Sequence, residues 1–500
     1  MKKIYRDVLS LSTVYAIGNT AQNVLSVILL PLYTSYLTIE DFGILALMNL
    51  TISLLTSVIL SPINIALGRF YFKPDYHDKS GILLFNMSGL LIVQTVITAI
   101  VYWILRDWIC RLLFDTQDMV YIVRLYAVIF ILTSMSTFCL YFIRLIKLAR
   151  YYVFLSLSNF LFSFLVIIYL LIGRKLGILA VIYSNIFGLL YTTLLCIPFV
   201  WKYSTFRFSP SIMKAPLKFG YPLLFSGISS QVIKIGDRYI LKIFCPLSDI
   251  GLYSFGCRIA DFMNVILVNP VIDGLRPVAL QKEKQPEEQK QFLVNSATYY
   301  YWFGLFITLV LSIFAKEVIM VLARQKEFLA SWVIVPIISF SYIQYGLGNF
   351  LGWGMMMSQK SYHITGTLLV SAAINICLNF VFIPYWGILG AAFVTLISYL
   401  FWNFLKAYYS SKFYNLSFNL SRLFIITGIG VGLYLLSLTF EAIDSLLLVI
   451  LLKVLIILAY PTAFFLFPFF THLEKDYMKK VWKSIQTNGI RATYDSLKNM

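Results

Sequence analysis

Residues 234–276 read KIGDRYILKIFCPLSDIGLYSFGCRIADFMNVILVNPVIDGLR. Apart from its charges this is apolar sequence of the kind that fills a buried helix, broken first at Pro246 and again, near its end, at Pro270. Lys234, Arg238 and Lys242 recur every four residues, so on a helix they form one basic stripe. Beyond the proline, Arg258 and Asp261 are three apart and share a face of a second helix. Charges on such helices are ordinary surface features in a water-soluble protein. In a membrane they are costly and usually mark a substrate or ion path.

Composition decides between the two settings. The 500 residues are 60% hydrophobic and 12% charged, with a mean hydropathy of +0.82, whereas about a quarter of a soluble domain is charged. The chain therefore reads as an all-α polytopic membrane protein. Its net charge of +18 is spread between the apolar blocks, as topology signals are, and does not form a nucleic-acid patch. No nucleic-acid partner is expected. The start, Met1 to Asp7, resembles the n-region of a signal peptide, but the apolar run behind it is too long and lacks a small-residue cleavage site, so it reads as a first transmembrane helix.

Blocks of about 20 apolar residues, enough to cross a hydrocarbon core, occur fourteen times: 8–36, 43–68, 80–105, 119–143, 151–172, 178–200, 216–244, 249–270, 291–314, 328–353, 361–383, 387–409, 421–440 and 445–468. No connection is long enough for an extramembrane domain. With a cytoplasmic N-terminus, the basic residues of the outer connections are only Arg106, Arg111, Arg174, Lys175, Lys316, Arg324 and Lys326. Most of the other 33 of the 40 Lys and Arg fall on the inner side, a bias that places both termini in the cytoplasm. Residues 469–500 read as a basic amphipathic helix on that leaflet.

An internal repeat organises these blocks. At a shift of 208, Asp41-Phe-Gly-Ile falls on Asp249-Ile-Gly-Leu and Ser61-Pro62-Ile63 on Asn269-Pro270-Val271; at a shift of 210, Gly177-Ile-Leu-Ala falls on Gly387-Ile-Leu-Gly. Two six-helix lobes follow, residues 1–200 and 216–409, joined by a cytoplasmic linker at 201–215 and followed by two extra helices within 421–468. Six is even, so both lobes begin on the same side and are related by an axis along the membrane normal.

Buried cations are the residues that point to chemistry. Lys234, Arg238 and Arg258 are candidates for holding an anionic headgroup, Arg because its planar fork donates two hydrogen bonds to one phosphate. The structural alternative is that Lys234 pairs with Asp261, that Arg238 bonds neighbouring carbonyls and that Lys242 snorkels to the interface. Asp261 is either the counter-ion of Arg258 or a proton- or sodium-coupling group. Asp41 and Asp249 open helices and read as caps. Arg69 is read equally as an inner gate and as a topology anchor. Asn19, Gln22 and Asn23 on helix one, with Ser230 and Gln231 on helix seven, are candidates for a polar cavity wall or for helix–helix hydrogen bonds. Of the six cysteines, Cys110 and Cys245 lie near one predicted face, though unpaired small hydrophobes are the preferred reading. No nucleophile triad, Gly-rich phosphate loop or metal cluster is legible, so no catalytic residue, metal or cofactor is expected.

Glu40-Asp41-Phe42-Gly43, Lys218-Phe-Gly-Tyr-Pro, Gly236-Asp-Arg-Tyr-Ile-Leu and Gly251-Leu-Tyr-Ser, together with the six-plus-six-plus-two pattern, resemble the polysaccharide flippases (Wzx-type) of the multidrug/oligosaccharidyl-lipid/polysaccharide (MOP) exporter superfamily. The resemblance spans nearly the whole chain. It implies the MATE-like fold of that superfamily and a bacterial inner-membrane protein that moves an undecaprenyl-pyrophosphate-linked oligosaccharide, such as an O-antigen or capsule repeat unit, to the periplasmic leaflet. It further implies alternating access around a cationic cavity, coupling to H+ or Na+, function as a monomer among membrane lipids, and contact with other polysaccharide-assembly proteins. Helix one lacks the basic residue of the related peptidoglycan-precursor flippases, which counts against lipid II as substrate. The rival readings are a multidrug or cation antiporter of the same fold, and a membrane polysaccharide polymerase or glycosyltransferase.

Overall fold

A computed structural model of the chain describes residues 29–466, apart from 359, 360, 415, 417 and 444. Among the described residues the secondary structure is helical, and eleven helical stretches are long and apolar enough to cross a membrane. The chain is a multi-pass membrane protein. Its helices begin with α1 (Leu30–Tyr36), α2 (Ile39–Phe70), α3 (Ser80–Ile104), the short α4 (Arg106–Phe114), α5 (Val120–Leu145), α6 (Ala149–Ile168) and α7 (Ile178–Tyr203). They continue with α8 (Ser211–Gly220), α9 (Leu224–Ile235), α10 (Asp237–Phe244), α11 (Leu247–Ala260), α12 (Asn269–Gln281), α13 (Pro286–Ile313) and α14 (Ala315–Leu322). The last are α15 (Ile334–Leu351), α16 (Trp353–Met357), α17 (Ser361–Ser411), α18 (Leu420–Leu438) and α19 (Leu446–Leu466).

The predicted count of fourteen spans is not established by these residues, for three local reasons. The first span lies outside the described residues except for its last turns in α1. The seventh is divided among α8, a 3-10 turn at Tyr221–Leu223, α9 and α10. The eleventh and twelfth run together as α17, which turns at Gly387, where φ is 51° and ψ −129°. That backbone conformation is open only to glycine at no steric cost. Gly177, which precedes α7, has nearly the same angles, φ 54° and ψ −133°. These two are the positive-φ glycines among the described residues, and they are the pair that the shift of 210 superimposes.

The start of α2 is fixed as the sequence suggests. Thr38 Oγ1 accepts from Asp41 N at 3.1 Å while Asp41 Oδ2 accepts from Thr38 N at 2.9 Å, a reciprocal capping box. The eighth predicted span is longer than expected and irregular. Between α11 and α12 the helix widens to a π-helical turn at Asn264–Val268, followed by Pro270, whose missing N–H ends the regular ladder.

The described chain forms two compact units. One holds residues 1–297 and 315–417. In it, α2 and α11 pack through the repeated Asp-x-Gly motif, with Gly43 against the Leu247 carbonyl and Gly251 against the Ile39 carbonyl. Beside that contact, Leu30, Leu37, Phe42, Phe255, Ile259, Ile319 and Phe328 form a buried apolar cluster. Phe42, Phe255 and Phe328 lie with ring centroids 4.8–5.9 Å apart. Thr34 Oγ1 and Gln325 Nε2 add hydrogen bonds to Leu322 O and Leu37 O, both at 3.1 Å. The second unit holds residues 298–314 and, of the described residues, 418–466. There Tyr460 OH donates to Trp302 O at 3.0 Å, and Lys453 is 4% exposed with its ammonium 5.8 Å from the Phe314 ring centre. Lys453 is thus buried against protein and does not snorkel outward. The predicted lobe boundaries stay a proposal beside this division, and the predicted tail helix at 469–500 lies outside the described residues.

Candidate functional site: a cationic cavity

Gly236 separates α9 from α10, and the four-residue spacing keeps Lys234 and Arg238 on one side. They line a cavity of about 280 Å³ with Ser254, Cys257, Arg258 and Asp261 of α11 and its C-terminal end, Tyr342 of α15, and Ala46, Asn49, Leu50 and Ser53 of α2. A second chamber of about 290 Å³ shares Ala46, Asn49, Ser254 and Arg258 with the first and adds Tyr33, Ser163, Ser184 and Asn185. Among the described residues, every charged side chain lining either chamber comes from residues 234–261. The described residues before 200 contribute hydroxyl, amide and apolar groups only.

The three cations of this wall differ in their bonding. Arg238 is the structural one. Its Nη1 donates to Oδ1 of Asp237 at 3.2 Å, its Nε donates to Ser254 Oγ at 3.2 Å, and its guanidinium carbon lies 5.2 Å from the Tyr253 ring centre. Asp237 is 1% exposed and also accepts from Tyr253 OH and, at 3.3 Å, from Thr395 Oγ1. A buried carboxylate is tolerated where an opposite charge and hydrogen bonds replace its water, and all three partners are present. Lys234 and Arg258 are exposed to the cavity, and among the described residues neither has a carboxylate within ion-pair distance. They are the cations left available for a ligand.

Two structural expectations change here. Asp261 is within ion-pair distance of neither Lys234 nor Arg258: its Oδ1 accepts at 2.7 Å from Nδ2 of Asn264, three residues on and on the same face. Arg238 does not bond neighbouring carbonyls but the adjacent carboxylate. Asp237 is the site residue that the sequence reading missed; its signal was a carboxylate inside an apolar block, and neighbouring residues on a helix normally face different ways.

The remaining candidates fall elsewhere. Lys242 leaves the stripe and pairs with Asp115, which caps α4 in the left-handed conformation at φ 57°. Gln231 Nε2 donates to Ser57 Oγ at 3.4 Å and so ties α9 to α2, a helix–helix role. Ser230 is exposed and lines neither chamber. Arg69 lies at the end of α2 with its guanidinium carbon 4.3 Å from the Phe219 ring centre, away from the cavity. Asn19, Gln22 and Asn23 lie outside the described residues. Cys110 and Cys245 are not bridged. Cys110 Sγ donates to Thr116 O at 3.1 Å, and burial pushes its thiol above the ordinary range.

The fold matches a solved lipid II flippase, MurJ, in an inward closed conformation, with a TM-score of 0.72, 15% identity and coverage of 90% of this chain and 98% of that one. It also matches an inward-facing multidrug resistance MATE transporter of the MOP superfamily, with a TM-score of 0.68, 11% identity and coverage of 84% and 98%. At these identities the likeness is one of fold alone. The chain belongs to the family described as polysaccharide biosynthesis protein, whose model matches residues 8–279. A curated relative from Haloferax volcanii, described as a probable low-salt glycan biosynthesis flippase, Agl15, is 24% identical over 262 residues, 51% of this chain and 54% of that protein. The chain thus spans about half the length of the curated relative it matches.

Proposed function

We propose that this protein is a flippase that carries an undecaprenyl-pyrophosphate-linked oligosaccharide repeat unit from the cytoplasmic to the periplasmic leaflet of a bacterial inner membrane. The observation that carries the reading is the pair of cavity cations, Lys234 and Arg258, with no ion-pair partner among the described residues. Leaving a charge at this depth costs a few kcal/mol even on the gentlest insertion scale, a cost that an anionic ligand offsets. Pyrophosphate matches the donor geometry of arginine and lysine. The neutral polar wall of Asn49, Ser163, Ser184 and Asn185 suits sugar hydroxyls, and the lipid tail stays in the bilayer.

Alternating access supplies the movement. The aromatic cluster around Phe42 and Phe328 packs at the end where α2 and α11 begin, the periplasmic end in this reading, and its separation would open the cavity to that side. Ion coupling is the second part of the proposal. Asp261 on the cavity wall and Asp237 behind it are the carboxylates beside the cations, and H+ or Na+ at either changes the charge that the cavity presents. The protein acts as a monomer in this reading, next to the assembly proteins of an O-antigen, capsule or other surface glycan. A drug antiporter taking cations fits less well, because cations outnumber acids on the wall. Replacing Arg258→Glu while following surface polysaccharide at matched protein abundance tests the proposal. Loss of export is expected; undiminished export removes Arg258 from the mechanism.

A further inference from the structure

A second cationic pocket lies outside the central cavity. Arg276 of α12 and Lys406 of α17 line a space of about 140 Å³ with Asn349, Gly348, Gly352 and Trp353. Both residues are near the ends of their helices, which close at Gln281 and Ser411, on the side of the Lys- and Arg-rich connections. Eighteen residues separate Arg276 from Arg258, about 27 Å at 1.5 Å per helical residue. The two pockets therefore sit at different depths along one irregular helix.

Lys406 is 6% exposed. Its ammonium lies 3.3 Å from the centre of the Trp402 ring. Among the described residues it meets no carboxylate within ion-pair distance and no hydrogen-bond acceptor. Glycines make its position available: a Cβ on Gly348 would fall 3.0 Å from its Nζ and 2.5 Å from Asn403 Oδ1, and one on Gly352 would fall 3.5 Å from its Cδ. Arg276 spends one hydrogen bond on Asn349 Oδ1 at 3.3 Å, and among the described residues its other donors meet no acceptor. Among the described residues no acid lines the pocket. Two cations facing one small space repel each other and the buried Lys406 is poorly solvated, and a shared anion removes both costs.

We infer that Arg276 and Lys406 form a second anion site, which binds a phosphoryl group at the loading end of the transport path before the central cations receive it. The physiological ligand in this inference rests on the flippase reading; the site itself does not. The space admits a phosphate or pyrophosphate and excludes a sugar chain, so the glycan would trail outside it. Membrane phosphodiester headgroups share this chemistry and are the other source of the anion.

The test uses the full-length protein in nanodiscs of zwitterionic lipid, titrated with inorganic pyrophosphate by calorimetry. In a Lys234→Gln/Arg258→Gln background, which silences the central cavity, saturable binding is expected to persist. Adding Lys406→Met should weaken it at least tenfold, Arg276→Gln should weaken it likewise, and Lys406→Arg should retain it; the Arg variant shows that loss reflects charge and not misfolding. Absence of binding in that background, or binding indifferent to Lys406→Met, overturns the inference while leaving the central-cavity reading intact. Binding equal in wild type and background, yet lost with Lys406→Met, supports the second site and defeats the headgroup role of Lys234 and Arg258. Repeating the titration in phosphatidylglycerol discs separates the sources: competition identifies a lipid headgroup as an occupant, and unchanged binding identifies a pyrophosphate-selective site.

Discussion

Gly43 and Gly251, corresponding positions of the internal repeat, bring α2 and α11 together at backbone distance. A Cβ on Gly43 would lie 2.2 Å from Leu247 O, and one on Gly251 would lie 2.0 Å from Ile39 O. Neither carbonyl has a flexible end that can give way, so the helices must separate to admit a methyl group. Small residues at such contacts are what allow membrane helices to pack closely. Gly43→Ala is expected to destabilise the protein by about 1–3 kcal/mol, the usual cost of overpacking. Gly89→Ala is the control: nothing lies within 4 Å of its added Cβ, and the better helix former should be neutral or stabilising by up to about 1 kcal/mol. Thermal unfolding of the two purified variants, followed by tryptophan fluorescence, gives the comparison; equal shifts contradict the packing account.

Asp237 and Arg238 should behave as one unit. Removing one partner of a buried ion pair costs about 3–5 kcal/mol because the other charge is left uncompensated, whereas removing both is far milder. Asp237→Asn and Arg238→Met should each lower stability markedly, and the double variant should be more stable than the sum of the two predicts. Strict additivity in unfolding experiments would place the two groups in separate roles.

Lys234 and Lys242 lie on one predicted stripe but in different surroundings. Lys242 meets Asp115, whose side chain is 76% exposed, and pairs of that kind contribute at most about 1 kcal/mol. Lys242→Ala should leave transport and stability within twofold of wild type. Lys234→Ala should reduce substrate transport at least tenfold at unchanged abundance, because it removes a cavity cation and no ion pair. A transport assay showing the reverse order would assign the headgroup to the wrong end of the stripe.

Much of this arrangement is legible in the residues themselves. Apolar length gives the spans, because nothing but a helix satisfies its own backbone in lipid. The repeat pairs Asp41-x-Gly43 with Asp249-x-Gly251, and it pairs Gly177 with Gly387; the structure gives the first pair a shared interface and the second a shared backbone conformation. What escaped depends on the choice a side chain makes among near neighbours, which periodicity does not encode. Arg238 turns to the adjacent carboxylate of Asp237, and Asp261 accepts from Asn264, three residues on. Lys406 was hidden for another reason. A lysine near a helix end counts as a topology marker, and only the glycine face of α15 shows that it is drawn into the protein.

The central claim is that Lys234 and Arg258 hold the anionic headgroup while the described residues before 200 offer only neutral contacts. The most direct measurement is leaflet-to-leaflet movement of a fluorescent undecaprenyl-pyrophosphate oligosaccharide in proteoliposomes holding wild-type, Lys234→Glu, Arg258→Glu or Asn49→Ala protein at equal density. The account predicts loss of movement in both charge reversals, and for Asn49→Ala a modest loss that depends on the sugar. Normal movement with both charges reversed, or a loss confined to Asn49→Ala, would contradict it.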